Sequence, residues 1–313
     1  MNKTLYKLKK LYDIVENFLF IDKGYNEYFL PLLRVGLGCL ILIKCAAIQG
    51  NILDFYGNDS FIPTEISNVL ISEDSFTLPN IYANLSLQEI ISEAEFIKVV
   101  FNIHIVFLIS FVIGFFTKVS GLVTFAFNLV FCLTGHLFSY GVDGFITILL
   151  FYACLAKTNN MLSMDKQLGI FQKDKFSINN VFILRAMQIH LCLIYFFAGT
   201  AKAVGVNWWN GESIWRSLHI NSVSLKIDFF SNFPLLLTIL GISAILLDLF
   251  YCIFIWISKT RKVTLTLTLL MHIFIGAVLG LPLFASVMML FNLIAFYIPY
   301  QTTNLLNYQS AKL

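Results

Sequence analysis

The sequence predicts an all-α, polytopic transmembrane helical bundle of about eight spans with both termini cytoplasmic, and three observations carry that prediction. Hydrophobic residues make up 58% of the 313-residue chain and charged residues 12%, about half the charged share of an ordinary soluble domain. Several apolar runs reach roughly 18 residues, the length a helix needs to cross a bilayer, whereas a barrel strand alternates over about ten. Lysine and arginine fall in alternate connecting segments, which orients the bundle.

The first 28 residues read as an amphipathic interfacial segment. M1-N-K-T-L-Y-K-L-K-K-L-Y-D-I-V-E-N-F-L-F20 is basic and aromatic at helical spacing, with acids on the opposite face. No small-residue cleavage site precedes the next run, so it does not read as a cleavable signal. Apolar runs at 29–48, 95–116, 119–136, 143–157, 181–204, 233–257, 263–280 and 281–299 follow as spans. The last two share one stretch and part at Gly280-Leu281-Pro282, where glycine and proline favour a turn. Residues 29–300 form one transmembrane domain without internal repeats, and 301–313 a short cytoplasmic tail.

Residues 1–28 hold five lysines, the 157–180 loop four and the 258–262 loop three basic residues, while 49–94 hold none. Basic loops stay on the cytoplasmic side. The 51–94 loop carries Asp54, Asp59, Glu65, Glu73, Asp74, Glu89 and Glu93 without a base, which places it on the extracytoplasmic face. The net charge of +3 leaves no basic surface for nucleic acid. All six cysteines lie in or beside apolar runs without metal spacing, so they read as packing residues and no metal is expected. Nucleotide loops and the common zinc and serine hydrolase motifs are missing too.

Function is therefore sought in polar groups that a bilayer would expel. Lys202 sits near the outer end of the fifth span, and Gln188, Tyr195 and Gly199 share its helical face. Two readings stand side by side. A lysine at a helix end can lift its ammonium to the headgroups beside an aromatic belt of Trp208 and Trp209. Alternatively, with His136 at the outer end of the third span, and Tyr140 and Asp143 close behind, Lys202 supplies one of two titratable groups for proton transfer. Asp248, inside the sixth span, needs a partner, for which His272 and Arg34 are the candidates. Asp248 and His272 read as structural polar groups, and Arg34, Arg185, His104 and His190 as interhelical hydrogen-bonding or snorkelling residues.

Several of these pieces occur in one order: L33-R-V-G-L-G38, Y56-G-N-D-S-F-I-P63, H136-L-F-S-Y-G141, Y195-F-F-A-G-T-A-K-A203, W208-W-N-G211 and His272. Across about residues 30–300 this pattern resembles the horizontally transferred transmembrane (HTTM) domain family. Its best-known member is the vitamin K-dependent gamma-glutamyl carboxylase. The resemblance implies that Lys202 is a base for a reduced quinone (vitamin K-like) and that His136 supports proton handling. It also implies a cofactor- or substrate-binding surface drawing on Tyr195, Gln188, Trp208, Trp209, Asp143 and Arg34. An enzyme of this kind falls in the quinol-dependent carbon–carbon lyase class.

The chain departs from the carboxylase in three ways. It ends about a dozen residues after its last span, Asp248 stands where the family usually has glutamate, and Ala201 precedes Lys202 where the carboxylase has a second lysine. In size it is closer to the branch resembling the sporulation-delaying-protein maturation factor. That similarity implies a multi-pass protein of a bacterial inner (plasma) membrane, working with a small accessory protein on a secreted peptide in toxin production. The expected function is modification or maturation of a peptide or small molecule at the extracytoplasmic face. The alternatives are a non-enzymatic maturation, export or immunity partner and, third, a transporter, which would be expected to show charges along a path, broken helices or related halves.

Overall fold

A computed structural model describes residues 3–20, 25–57, 60–62, 66, 75–170, 178–219 and 233–301. Asn58, Asp59, Glu65, Glu73, Asp74, Lys226 and the 302–313 tail lie outside the described residues. Helices α1 (Lys3–Phe20), α2 (Phe29–Ile48), α3 (Ile52–Tyr56), α4 (Leu78–Asn84), α5 (Glu93–Ile113), α6 (Thr117–Thr134), α7 (Gly141–Leu155) and α8 (Met164–Gln167) come first. They are followed by α9 (Ile178–Val204), α10 (Val206–Trp209), α11 (Glu212–Leu218), α12 (Pro234–Phe254), α13 (Ser258–Val278) and α14 (Pro282–Asn292). The described residues contain no strand.

The helices group into two compact units, residues 30–174 and residues 1–29 with 175–313, where the sequence reads as one domain. Seven helices are long and apolar enough to cross a membrane, and α7 is shorter. Fifteen residues of α helix rise about 22 Å. α7 nevertheless runs from the Thr134 end of α6 back to its start, because Lys118 Nζ, in the first turn of α6, donates to the carbonyls of Cys154 (2.9 Å) and Ala156 (2.6 Å). All eight apolar runs of the sequence are helical, but seven reach a spanning length where the sequence predicts about eight spans, and α7 falls short of it. Large apolar side chains such as Val106, Phe197, Leu235 and Leu270 point outward, as lipid contact requires.

In the 30–174 unit, α2 and α7 run antiparallel, tied at both ends. At one end Arg34 is fully buried and donates to the carbonyls of Thr158 (3.0 Å) and Leu162. There Asp165 also caps α6, accepting from the amides of Phe116 (2.8 Å) and Thr117 (2.9 Å). At the other end Lys44 pairs with Asp143, the third residue of α7. α5 begins with a capping box, in which Ser92 and Glu95 satisfy each other's amides.

In the other unit, α1 lies against α9: Phe20 stacks on Phe182 with centroids 5.4 Å apart, and Arg185 Nε donates to the Phe18 carbonyl (3.0 Å). Its outer side exposes Leu11, Tyr12, Ile14 and Val15. The end of α14 shows how a local sequence rule shapes the site below it. Pro299 has no N–H, so the Ala295 carbonyl four residues back loses its helical donor. The backbone widens there into a π turn over Leu293–Tyr297, and Gln188 Nε2 of α9 donates to the Ala295 carbonyl instead (2.7 Å).

Candidate functional site

α9 is apolar along most of its length, and what brings a charged pair into it is a small residue. A Cβ at Gly199 would lie 2.7 Å from the Leu249 amide nitrogen and 3.0 Å from the Asp248 Cβ. Glycine there lets the backbones of α9 and α12 meet, and Asp248 comes within reach of Lys202, three residues on. Lys202 Nζ lies 2.6 Å from Asp248 Oδ2. Asp248 is 1% exposed and fourteen residues from the first residue of α12, about 21 Å along the helix. The helix carrying Lys202 does end two residues later, but its amine turns back onto this carboxylate. The partner of Asp248 is thus Lys202, where the sequence offered His272 or Arg34.

After Val204 the chain folds down along α12. A Cβ at Gly241 would meet the Trp208 carbonyl oxygen at 2.3 Å, so α10 packs directly on the α12 backbone. The Trp208 ring then sits with its centroid 5.3 Å from Lys202 Nζ, a cation–π distance. Trp209 is exposed and donates from Nε1 to the Ala203 carbonyl (2.9 Å). The Lys202 side chain keeps 23% exposure while that of Asp248 keeps 2%, so the pair has one reachable member, the amine.

A second set of polar groups adjoins this pair. Tyr195 Oη lies 2.7 Å from His272 Nε2, Asn292 Nδ2 donates to Tyr195 Oη (2.7 Å), and Tyr251 Oη donates to Asn292 Oδ1 (2.7 Å). All four residues are buried. The Tyr195 hydroxyl hydrogen has one acceptor among these groups, His272 Nε2, which leaves the ring hydrogen on Nδ1. Among the described residues neither His272 Nδ1 nor Asp248 Oδ1 has a hydrogen-bond partner. Buried polar atoms without partners are rare and each needs an occupant or a function.

The remaining candidates fall elsewhere. Gln188 is buried at the opposite end of α9, held by Arg185 Nη1 (2.7 Å) and the Ala295 carbonyl. Asp143 pairs with Lys44 and accepts from the Tyr140 amide (3.0 Å), and Arg34 ties the Thr158–Leu162 turn. His136 belongs to the 30–174 unit, in the turn after α6. Both its ring nitrogens are buried without a partner among the described residues. Tyr251, Asn292 and Lys44 are groups that sequence reasoning missed. Each was signalled only as a polar residue in an apolar run. Among the described residues no group of three or more His, Cys, Asp or Glu is placed to hold a metal ion.

A family model for the HTTM domain matches residues 70–299. No curated protein and no solved structure matches the chain. The matched region contains Lys202, Asp248, Tyr195, His272, Trp208 and His136 and covers well over half of the 313 residues, and the chain belongs to the HTTM domain family.

Proposed function

We propose that this multispan membrane protein, related to the membrane domain of the vitamin K-dependent carboxylase, uses Lys202 as a proton acceptor. The acid it meets is an activated hydroxyl, of the reduced-quinone class, on the way to modifying a peptide or small molecule. The observation that supports this is the part-buried Lys202–Asp248 pair with Asp248 Oδ1 and His272 Nδ1 both left without partners among the described residues. In a low dielectric an ion pair and its neutral form lie close in energy, because desolvation opposes the Coulomb attraction. A proton passing from the Lys202 ammonium to Asp248 gives a neutral amine beside a carboxylic acid. That amine accepts the hydroxyl proton, and the ammonium so formed stabilises the resulting oxyanion. His272 Nδ1–H is a spare donor for a ligand oxygen, and Tyr195 holds the ring in that tautomer. Trp208 sets its ring beside the amine. His136 is kept as a second proton carrier on the extracytoplasmic face that the charge asymmetry indicates, in a bacterial inner membrane. A secreted peptide and a small accessory protein are the proposed partners.

The test is an anaerobic ultraviolet titration of the full-length protein with a reduced naphthoquinone, comparing wild type with Lys202→Arg. Arginine keeps the charge and the carboxylate partner but does not deprotonate. Wild type should convert bound hydroquinone to its anion, and the folded variant should not. Equal conversion by both, or none by wild type, sinks the reading and leaves a non-enzymatic maturation or export partner, for which the pair is an interhelical clamp.

A further inference from the structure

A cleft of about 370 Å³ opens between the end of α2, α3 and the first turns of α5, away from the Arg34 turn. Its volume lies in the range of small-ligand sites. Gln49, Asn51, Asp54, Lys98, Phe101 and Asn102 line it. Lys98 and Asn102 are four residues apart and so share one face of α5, while Asp54 stands on α3. Lys98 and Asp54 carry opposite charges into the same cleft, yet neither side chain has a hydrogen-bonding or ion-pair partner among the described residues. The neighbouring acid Glu95 is committed to the Ser92 cap, through Ser92 N (3.0 Å) and Oγ (2.8 Å), which leaves the Lys98 ammonium for the cleft. Lys98 sits five residues inside α5, about 8 Å along the helix.

Two opposite charges that face one space without closing on each other fit a ligand that carries both charges itself. We propose that this cleft binds a zwitterionic phosphoethanolamine group, with its phosphate on Lys98 and Asn102 and its primary ammonium on Asp54 and the amide oxygens of Gln49 and Asn51. A primary ammonium has three N–H donors for those acceptors, which a trimethylammonium lacks. Phe101, Ile52 and Leu53 supply the apolar wall against which a glycerol backbone packs.

The experiment is native mass spectrometry of the delipidated full-length protein, offered equal amounts of phosphatidylethanolamine, phosphatidylcholine and phosphatidylglycerol. Phosphatidylethanolamine should be retained at one per chain, at least fivefold over either competitor. Lys98→Gln and Asp54→Asn, both at exposed positions, should each abolish that preference while the thermal midpoint stays unchanged. Equal retention of the three lipids, or a preference that survives both variants, overturns the proposal. Soluble glycerophosphoethanolamine distinguishes the source: if it binds in place of the lipid, with the same dependence on Lys98 and Asp54, the ligand is water-soluble. If it does not compete and the lipid preference holds, the ligand is a membrane lipid. The reading does not depend on Lys202, so it can fail or stand independently of the proton-transfer site.

Discussion

Lys44 with Asp143 in one unit, and Lys202 with Asp248 in the other, are ion pairs of the same residue types, with lysine side chains 25% and 23% exposed. Their carboxylates differ. Asp143 stands in the first turn of α7, where one oxygen takes Lys44 and the other accepts the Tyr140 amide. The helix dipole favours a negative charge there as well. Every part of Asp143 is accounted for by folding. Asp248 stands fourteen residues into α12, where the backbone amides are already bonded along the helix, and one of its oxygens is buried without a partner among the described residues. Burying such an oxygen costs stability unless something else occupies it. The comparison teaches that a charge inside a membrane is not in itself a sign of chemistry. What distinguishes the second pair is the hydrogen-bonding capacity left over after folding is satisfied.

The largest expected effect breaks the comparison outright. A general base contributes about 10²–10⁴-fold in rate, so Lys202→Arg should lower hydroquinone deprotonation by at least about 100-fold. Lys44→Arg should leave it within about twofold, since Lys44 has only a structural task. If the two variants lose activity alike in the same stopped-flow assay, the pairs are equivalent and the distinction fails.

Stability should separate the pairs next. Asp248→Ala strands an ammonium in an apolar setting and should cost about 3 kcal/mol, the low end for a broken buried pair because the amine keeps some exposure. Asp143→Ala loses a cap contact worth about 1 kcal/mol and part of an ion pair, about 2 kcal/mol in all. Denaturation in mixed micelles measures both. Replacing Lys202 and Asp248 together by methionine and leucine should restore near-native stability without restoring deprotonation, which would separate folding from chemistry at that site.

The eight runs were legible because length and composition are bulk properties that any window reads. Lys202 was legible as a cation in an apolar stretch, and so was its helical neighbour Tyr195. The partner of Lys202 was not, because periodicity gives the azimuth of a residue on its own helix but not which helix lies opposite. Gly199 decides that, by admitting α12 at the level of Asp248. Lys44 carries the same signal as Lys202, a cation inside an apolar run, but its partner Asp143 lies about a hundred residues on, and no local pattern links the two. Gln188 shares a face with Tyr195, as the spacing indicates, and both reach α14 or the turn that follows it, Gln188 at Ala295 and Tyr195 at Asn292. The need for Gln188 at that place comes from Pro299, more than a hundred residues away. No local pattern connects them.

The smallest expected effect sharpens the comparison further, because each unit contains a hydrogen-bond relay between a hydroxyl and a side-chain amide beside its pair. In the 30–174 unit Asn128 Nδ2 donates to Thr147 Oγ1 (2.9 Å), which donates to the Asp143 carbonyl (2.8 Å). In the other, Tyr251 donates to Asn292, which donates to Tyr195 and to the Met288 carbonyl (2.9 Å). Removing one hydroxyl costs about 1 kcal/mol, so Thr147→Val and Tyr251→Phe should destabilise alike. Their consequences for deprotonation should differ. Thr147→Val touches a relay that ends on a backbone carbonyl and should leave the rate unchanged. Tyr251→Phe frees the Asn292 oxygen, loosens the donor that holds Tyr195, and thereby loosens the orientation of His272. A two- to threefold fall in rate, with the Met288 contact still holding Asn292 in place, is the expected reading. An unchanged rate in both variants would mean that the Tyr195–His272 contact is held by packing alone, and that the relay in this unit is as structural as its counterpart.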